Sequence, residues 1–148
     1  MTQEETISKL NQMKMFALAT SLKERLARAD HQDLSHEDFF GLLIDDEWIA
    51  RENRKRQRRL TQAKFKVQTS MEEIDYQLKR SLVKAKILDL STFKWISHHQ
   101  NILILGPTGI GKSFIAQALG HQACYKGYTV HYVRLSKLLH DLYLSRAE

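Results

Sequence analysis

The chain has 148 residues, 43% hydrophobic and 27% charged, which are the proportions of one ordinary folded domain or two small ones. Its single cysteine, Cys124, rules out an intramolecular disulfide, and no apolar run approaches the roughly 20 residues a membrane-spanning helix needs. A net charge of +6 and a pI near 9.5 favour an anionic partner such as nucleic acid. The polar start, Met1 to Lys9, lacks the basic-then-apolar pattern of a signal peptide, so a reducing cytoplasm is the expected setting.

With one proline, Pro107, and six glycines, the chain is expected to be mostly helical. Ile7, Leu10, Met15, Leu18, Leu22 and Leu26 recur at roughly helical spacing and predict a first amphipathic helix ending near Ala29. Asp30 to Leu34 reads as a loop, and Ser35 with Asp38 as a capping box that opens a second helix. Phe39, Leu42, Leu43 and Ile49 give that helix an apolar face. Acids dominate its start (Asp30, Asp33, Glu37, Asp38, Asp45, Asp46, Glu47), and bases follow (Arg51, Arg54, Lys55, Arg56, Arg58, Arg59, Lys64, Lys66), an order that suits the helix dipole.

Ser70 and Glu73 could cap a short helical turn. A further helical stretch holds Leu82, Ala85, Ile87, Leu88 and Leu90, and Phe93, Trp95 and Ile96 predict another short helix. Trp48 and Trp95 read as core or interface anchors, Cys124 as a buried small hydrophobe, and the adjacent His98 and His99 as a poor metal pair, because their rings point apart. Asn101 to Leu105 is a short apolar run of the kind found in buried parallel strands, and Tyr128 to Val133 reads as a second strand. Between them lies a helix from Ser113 to Cys124, which Gly127 is placed to stop; Leu135 to Leu144 is a final amphipathic helix. The expected fold class is therefore α/β, with a mostly helical N-terminal domain followed by a domain holding about two parallel strands.

Between the first strand and its helix stands Gly106-Pro107-Thr108-Gly109-Ile110-Gly111-Lys112-Ser113, which matches G-x-x-x-x-G-K-[ST]. Glycines allow successive backbone N–H groups to turn inward toward phosphate oxygens, and the next helix adds its free N–H groups and positive dipole end. Lys112 is placed for the β- and γ-phosphates and Ser113 for Mg²⁺. The expected ligand is ATP or GTP with Mg²⁺. The run Arg51, Arg54, Lys55, Arg56, Arg58 and Arg59 has two readings: a solvated face paired with the preceding acids, or contact with DNA phosphates without sequence choice. Six bases in nine consecutive residues favour the second.

Together these features resemble the IstB-like ATP-binding proteins, the helper ATPases of one class of bacterial insertion sequences, related to DnaC-type helicase loaders. The resemblance is carried by Asp45-Asp46-Glu47-Trp48-Ile49-Ala50-Arg51-Glu52, by Leu103 to Ser113, by Ala118-Leu119-Gly120-His121 and by Gly127-Tyr128-Thr129-Val130. It runs from about Leu10 onward. It implies a helical domain over 1–66 that engages DNA or partner proteins, a helical connector over 67–98, and an AAA+-like nucleotide-binding domain over 99–148. It also implies ATP as the nucleotide, the transposase of the same insertion sequence as a partner, and homo-oligomers in the full-length family.

The family's Walker B acids, sensor residues and arginine finger are expected after the second strand and are not found before Glu148. In the AAA+ strand order, 5-1-4-3-2, the two expected strands are not neighbours, which leaves an unpaired edge at the phosphate-loop strand. The expectation is thus a C-terminally truncated form that binds ATP weakly, does not hydrolyse it alone, and has a marginally stable last third. A DnaC-like helicase loader and a non-catalytic DNA-binding or adaptor module remain open beside the transposition helper. A loader would bind single strands and a replicative helicase, whereas an adaptor's DNA binding would ignore ATP.

Overall fold

A computed structural model describes residues 2–28, 34–76 and 84–146. The chain divides into two compact units, 1–55 and 56–148, and the boundary falls inside one long helix. In the first unit, α1 (Gln3–Gln12) opens on a capping box: Thr2 Oγ1 accepts from Glu5 N–H, and Glu5 accepts from Thr2 N–H. The apolar periodicity continues into α2 (Phe16–Arg28), but the predicted single helix is broken at Met13 to Met15, where Lys14 takes a left-handed φ of 59°. Neither glycine nor proline marks that break in the sequence. The loop predicted at 30–34 lies outside the described residues except for Leu34.

Helix α3 (His36–Ala63) starts where Ser35 and Asp38 predict it: Ser35 Oγ accepts from Asp38 N–H and donates to the Asp38 carboxylate. The small core of the first unit is Leu18, Ala19 and Leu43. Its polar centre is Glu47, only 3% exposed. One Glu47 carboxylate oxygen accepts from the N–H groups of Ala17 and Leu18 at the start of α2, and the other from Arg51 and Arg54. The carboxylate therefore caps α2 from another helix. One turn-face away, Asp46 accepts from Ser21 and Arg25, and these bonds hold its carboxyl below the usual range.

The second unit is built on α6 (Lys112–Tyr125), which buries Ile115, Gln117, Ala118, Leu119, His121, Ala123 and Cys124. Ile74, just after the turn at 71–73, and Ile87, on α4 (Lys84–Leu90), complete this core with Ile115, Ala118 and Leu119; Met71, Tyr76, Leu90, Ile104 and Phe114 pack around it. Leu82, predicted inside the α4 stretch, lies outside the described residues. Residues 71–73 form a turn closed by Ile74 N–H on Met71 O, not a capped helix. The short α5 (Lys94–Ser97) carries Trp95, whose Nε1 donates to Leu90 O. Trp48, by contrast, is 65% exposed on α3 and not a core anchor. Burial pushes the Cys124 thiol up against the opposing pull of Arg59. Helix α7 (Leu135–Leu144) forms over the predicted span and buries no residue.

The α/β expectation is overturned: among the described residues there is no strand and no sheet. Residues 101–105 and 128–132 both have alternating burial. Ile102 and Ile104 turn inward, while Leu103 and Leu105 are 83% and 84% exposed. Alternation needs only an extended chain lying on a core; a strand also needs a second backbone to receive its N–H and C=O groups. Among the described residues these two segments do not bond each other. The backbone N–H groups of this second segment bond helices instead: Tyr128 N–H donates to Ala123 O of α6, and Tyr132 N–H to Ala63 O, at the last residue of α3. The AAA+-like pair of parallel strands is thus absent, and the second unit is helices joined by extended segments.

Gly120, midway along α6, lies where the Phe65 ring reaches the helix: a Cβ there would come within 2.7 Å of the ring. Phe65 is itself held, stacked on His121 with ring centroids 4.1 Å apart. Gly120→Leu is expected to overpack this contact and cost about 1–3 kcal/mol. Chemical denaturation of the full chain measures it, and an unchanged midpoint would show that Phe65 moves aside freely. No helix among the described residues is long and apolar enough to cross a membrane.

Candidate functional site

Gly106 to Ser113 link the extended 101–105 segment to the start of α6. Three glycines in this loop hold positive φ: 150° at Gly106, 84° at Gly109 and 88° at Gly111, the residue that precedes α6. An L-residue is strained at such angles. At Gly106 there is also no room, since a Cβ would meet Ile110 Cδ1 at 2.4 Å; at Gly109 nothing lies within 4 Å, so the backbone angle alone calls for glycine. The loop curls round the Lys112 ammonium, which donates to Gly106 O at 2.8 Å and to Pro107 O at 2.6 Å. Lys112 is half-buried, whereas Pro107, Thr108, Gly109, Ile110 and Ser113 are exposed.

This arrangement suits an anion. The first residues of α6 have N–H groups without helical partners, at the positive end of the dipole. Phosphate oxygens offered to Lys112 would replace two neutral carbonyl acceptors by charged ones, a stronger bond. Ser113 sits on the first turn with an exposed side chain, where a phosphate-bound magnesium could be met. These residues therefore fit ATP·Mg²⁺. Beside the loop, a cavity of about 290 Å³ is bounded by Gly109, Gly111 and Phe114 on one side and by Glu73, Ile74 and Asp75 on the other. Sequence reading did not place Glu73 and Asp75 here, because the turn that brings them to the loop is a tertiary feature.

The six bases of the candidate DNA contact are not equivalent. In the first unit, Arg51 and Arg54 bond Glu47, at 2.7 and 3.3 Å, and Lys55 pairs with Glu52 at 2.8 Å. In the second unit, Arg59 Nε donates to Cys124 O at 3.0 Å, and the Arg56 guanidinium lies 5.0 Å from the centre of the Tyr125 ring. Arg58 is exposed and joins no hydrogen bond or ion pair among the described residues. The bland reading, in which bases pair with preceding acids, thus describes Arg51 and Arg54 in part, while Arg56 and Arg59 face α6. No group of three metal-ligating side chains occurs among the described residues, and His98 Nδ1 meets Lys94 O.

A polar row on α6 was not legible from the sequence. Gln117 and His121, one and two turns after Ser113, are buried and bond the segment that leaves α3. Their only sequence signal is a glutamine and a histidine on the inward face of an otherwise apolar helix.

The model of the IstB-like ATP binding protein family matches residues 8–148. Among curated proteins, the chain is 38% identical over 97% of its length to a Sinorhizobium fredii protein described as an insertion sequence ATP-binding protein, of which it covers 58%. It is 35% identical to a counterpart from Pseudomonas fluorescens, covering 64% of that protein, and 34% identical to one from Mycobacterium tuberculosis, covering 53%. The chain thus spans little more than half the length of these relatives. With nearly all of its residues inside the family match, the phosphate loop and α6 included, the chain belongs to the IstB-like ATP-binding protein family.

Proposed function

We propose that this chain binds ATP·Mg²⁺ through Gly106 to Ser113 and duplex DNA, without sequence choice, through its basic surface, as the nucleotide-binding helper of an insertion sequence. The observation that carries the reading is the loop itself, with three glycines at positive φ closing round the Lys112 ammonium at the head of α6. Pro107, Thr108 and Ile110 complete the cradle, with Ser113 on the magnesium. The named relatives are insertion sequence proteins, which supports a transposition helper over a helicase loader and makes a transposase the natural partner. A cytoplasmic setting follows from that role. Hydrolysis needs a group that orders the attacking water. Among the described residues after the loop, Asp141 is the one acid, and it lies exposed on α7. The activity proposed for residues 1–148 is ATP·Mg²⁺ binding.

Calorimetric titration of the chain with ATP, in Mg²⁺ and in EDTA, tests the nucleotide half. Binding is expected to be tighter with Mg²⁺, and no heat of binding at millimolar ATP would overturn the reading. For the DNA half, Arg58→Ala is expected to weaken binding alike on unrelated duplexes and to reduce the slope of log affinity against log salt by about one. An unchanged slope would remove Arg58 from the interface.

A further inference from the structure

Resting on that reading, we propose that Gln117 is a positioning residue that couples occupancy of the phosphate loop to the placement of the basic surface formed by Arg58, Lys64 and Lys66. Gln117 lies on α6 one turn after Ser113 and is 4% exposed. Its side-chain nitrogen donates to Ser113 O at 3.2 Å. Its oxygen accepts from Lys66 N–H at 2.8 Å and from Val67 N–H at 3.2 Å. One buried amide thus joins the first turn of the nucleotide-facing helix to the segment that follows α3. Burying an amide is unfavourable unless its groups are bonded, and here both its nitrogen and its oxygen are.

The rest of the contact makes this junction stiff. α3 ends as Lys64 turns to a φ of 57°, and this sends the next amides toward α6. His121, a further turn along, meets Val67 O through Nε2, so α6 takes both the N–H and the C=O of Val67. Phe65 stacks on the same imidazole and fills the notch at Gly120. At the other end of α6, Arg59 bonds Cys124 O and Arg56 covers Tyr125. Arg58, Lys64 and Lys66 remain exposed on the stretch held in this way, and the backbone of Lys66 is bonded by Gln117 itself. A shift of the first turn of α6 when phosphates replace the loop carbonyls on Lys112 therefore reaches Lys66 through a single side chain. Two ligands that bias one such element must affect each other's affinity by the same factor.

The test is a linkage square on the full chain, using a fluorescent random-sequence duplex and a non-hydrolysable ATP analogue with Mg²⁺. In the unaltered protein, saturating nucleotide is expected to tighten DNA binding about tenfold, and saturating DNA to tighten nucleotide binding by the same factor. In Gln117→Met the factor is expected to fall to about twofold or less, with nucleotide affinity in the absence of DNA within about threefold of the original. Gln117→Glu keeps an acceptor for Lys66 and Val67 but has no donor for Ser113 O. It should fold even if Gln117→Met does not, and it too should lose the factor. A full factor in a folded Gln117 variant overturns the proposal. Binding of both ligands by the unaltered protein with no mutual effect overturns it while leaving the proposed function intact. Failure to bind either ligand overturns the proposed function, and the coupling with it.

Discussion

Lys112→Ala is expected to lower ATP affinity by about a hundredfold or more while leaving the fold nearly as stable. Each hydrogen bond from an ammonium to a phosphate oxygen contributes roughly 1.5–3 kcal/mol, so losing two costs about 3–6 kcal/mol, and each 1.4 kcal/mol is a factor of ten. The protein-internal loss is much smaller. In the free loop Lys112 bonds two carbonyls, of Gly106 and Pro107, which belong to exposed residues and can turn to water when the ammonium is gone. Two measurements separate these effects. Calorimetry should show the loss of ATP binding, and thermal melting should show a midpoint close to the original without nucleotide but no rise when ATP is added. Lys112→Arg is expected to fail as well, because a planar guanidinium does not replace a compact ammonium within a loop that closes on it at 2.6–2.8 Å. An affinity within threefold of the original in Lys112→Ala would show that the loop is not the nucleotide site.

Sequence patterns revealed those parts of the fold that depend on neighbours along the chain. Ser35 and Asp38 mark the start of α3, the spacing of leucines gives α7 its limits, and the glycine pattern at 106–111 corresponds to three residues at positive φ. Features that depend on distant partners were less accessible. The apolar run at 101–105 is extended and lies against the core through Ile104, as its composition implies, yet it has no partner strand among the described residues. Hydrophobicity reports burial; it does not report whether a second backbone is present. The charge of Arg59 is plain in the sequence, but its acceptor is the carbonyl of Cys124, 65 residues away. The break at Lys14 interrupts a periodicity that continues on both sides, with no glycine or proline to announce it. Gln117 and His121 illustrate the same limit within the site: a polar residue on an apolar face signals a bonded partner, but only the fold shows that the partner is the backbone leaving the basic helix.

Glu47→Ala is expected to destabilise the first unit by about 2–4 kcal/mol. The loss does not come mainly from its ion pairs. Arg51 and Arg54 are about half exposed and can return to water, so their attraction is worth little once screened. What remains are the N–H groups of Ala17 and Leu18, the latter on a residue 5% exposed, at the end of a helix where no carbonyl can reach them. An orphaned buried donor costs roughly 1–3 kcal/mol. Glu47→Gln should lose about half as much, since its amide oxygen can still cap α2 while its nitrogen faces the two guanidinium groups. The pH dependence distinguishes this account from simple loss of packing. Burial alone would push the Glu47 carboxyl up; the Arg51 bond and the Leu18 and Ala17 N–H groups outweigh it and hold it below the ordinary glutamate value. A carboxyl lowered in the folded state contributes stability that is present above its unfolded pKa and is lost as pH falls through the folded one. The gap between the original protein and Glu47→Gln, measured by urea denaturation, should therefore be full at pH 7 and shrink progressively below about pH 5, where the unfolded glutamate begins to take up its proton. A gap that stays constant into acid would assign the effect to shape and packing, and would remove the carboxylate's charge from the reasons the first unit is stable.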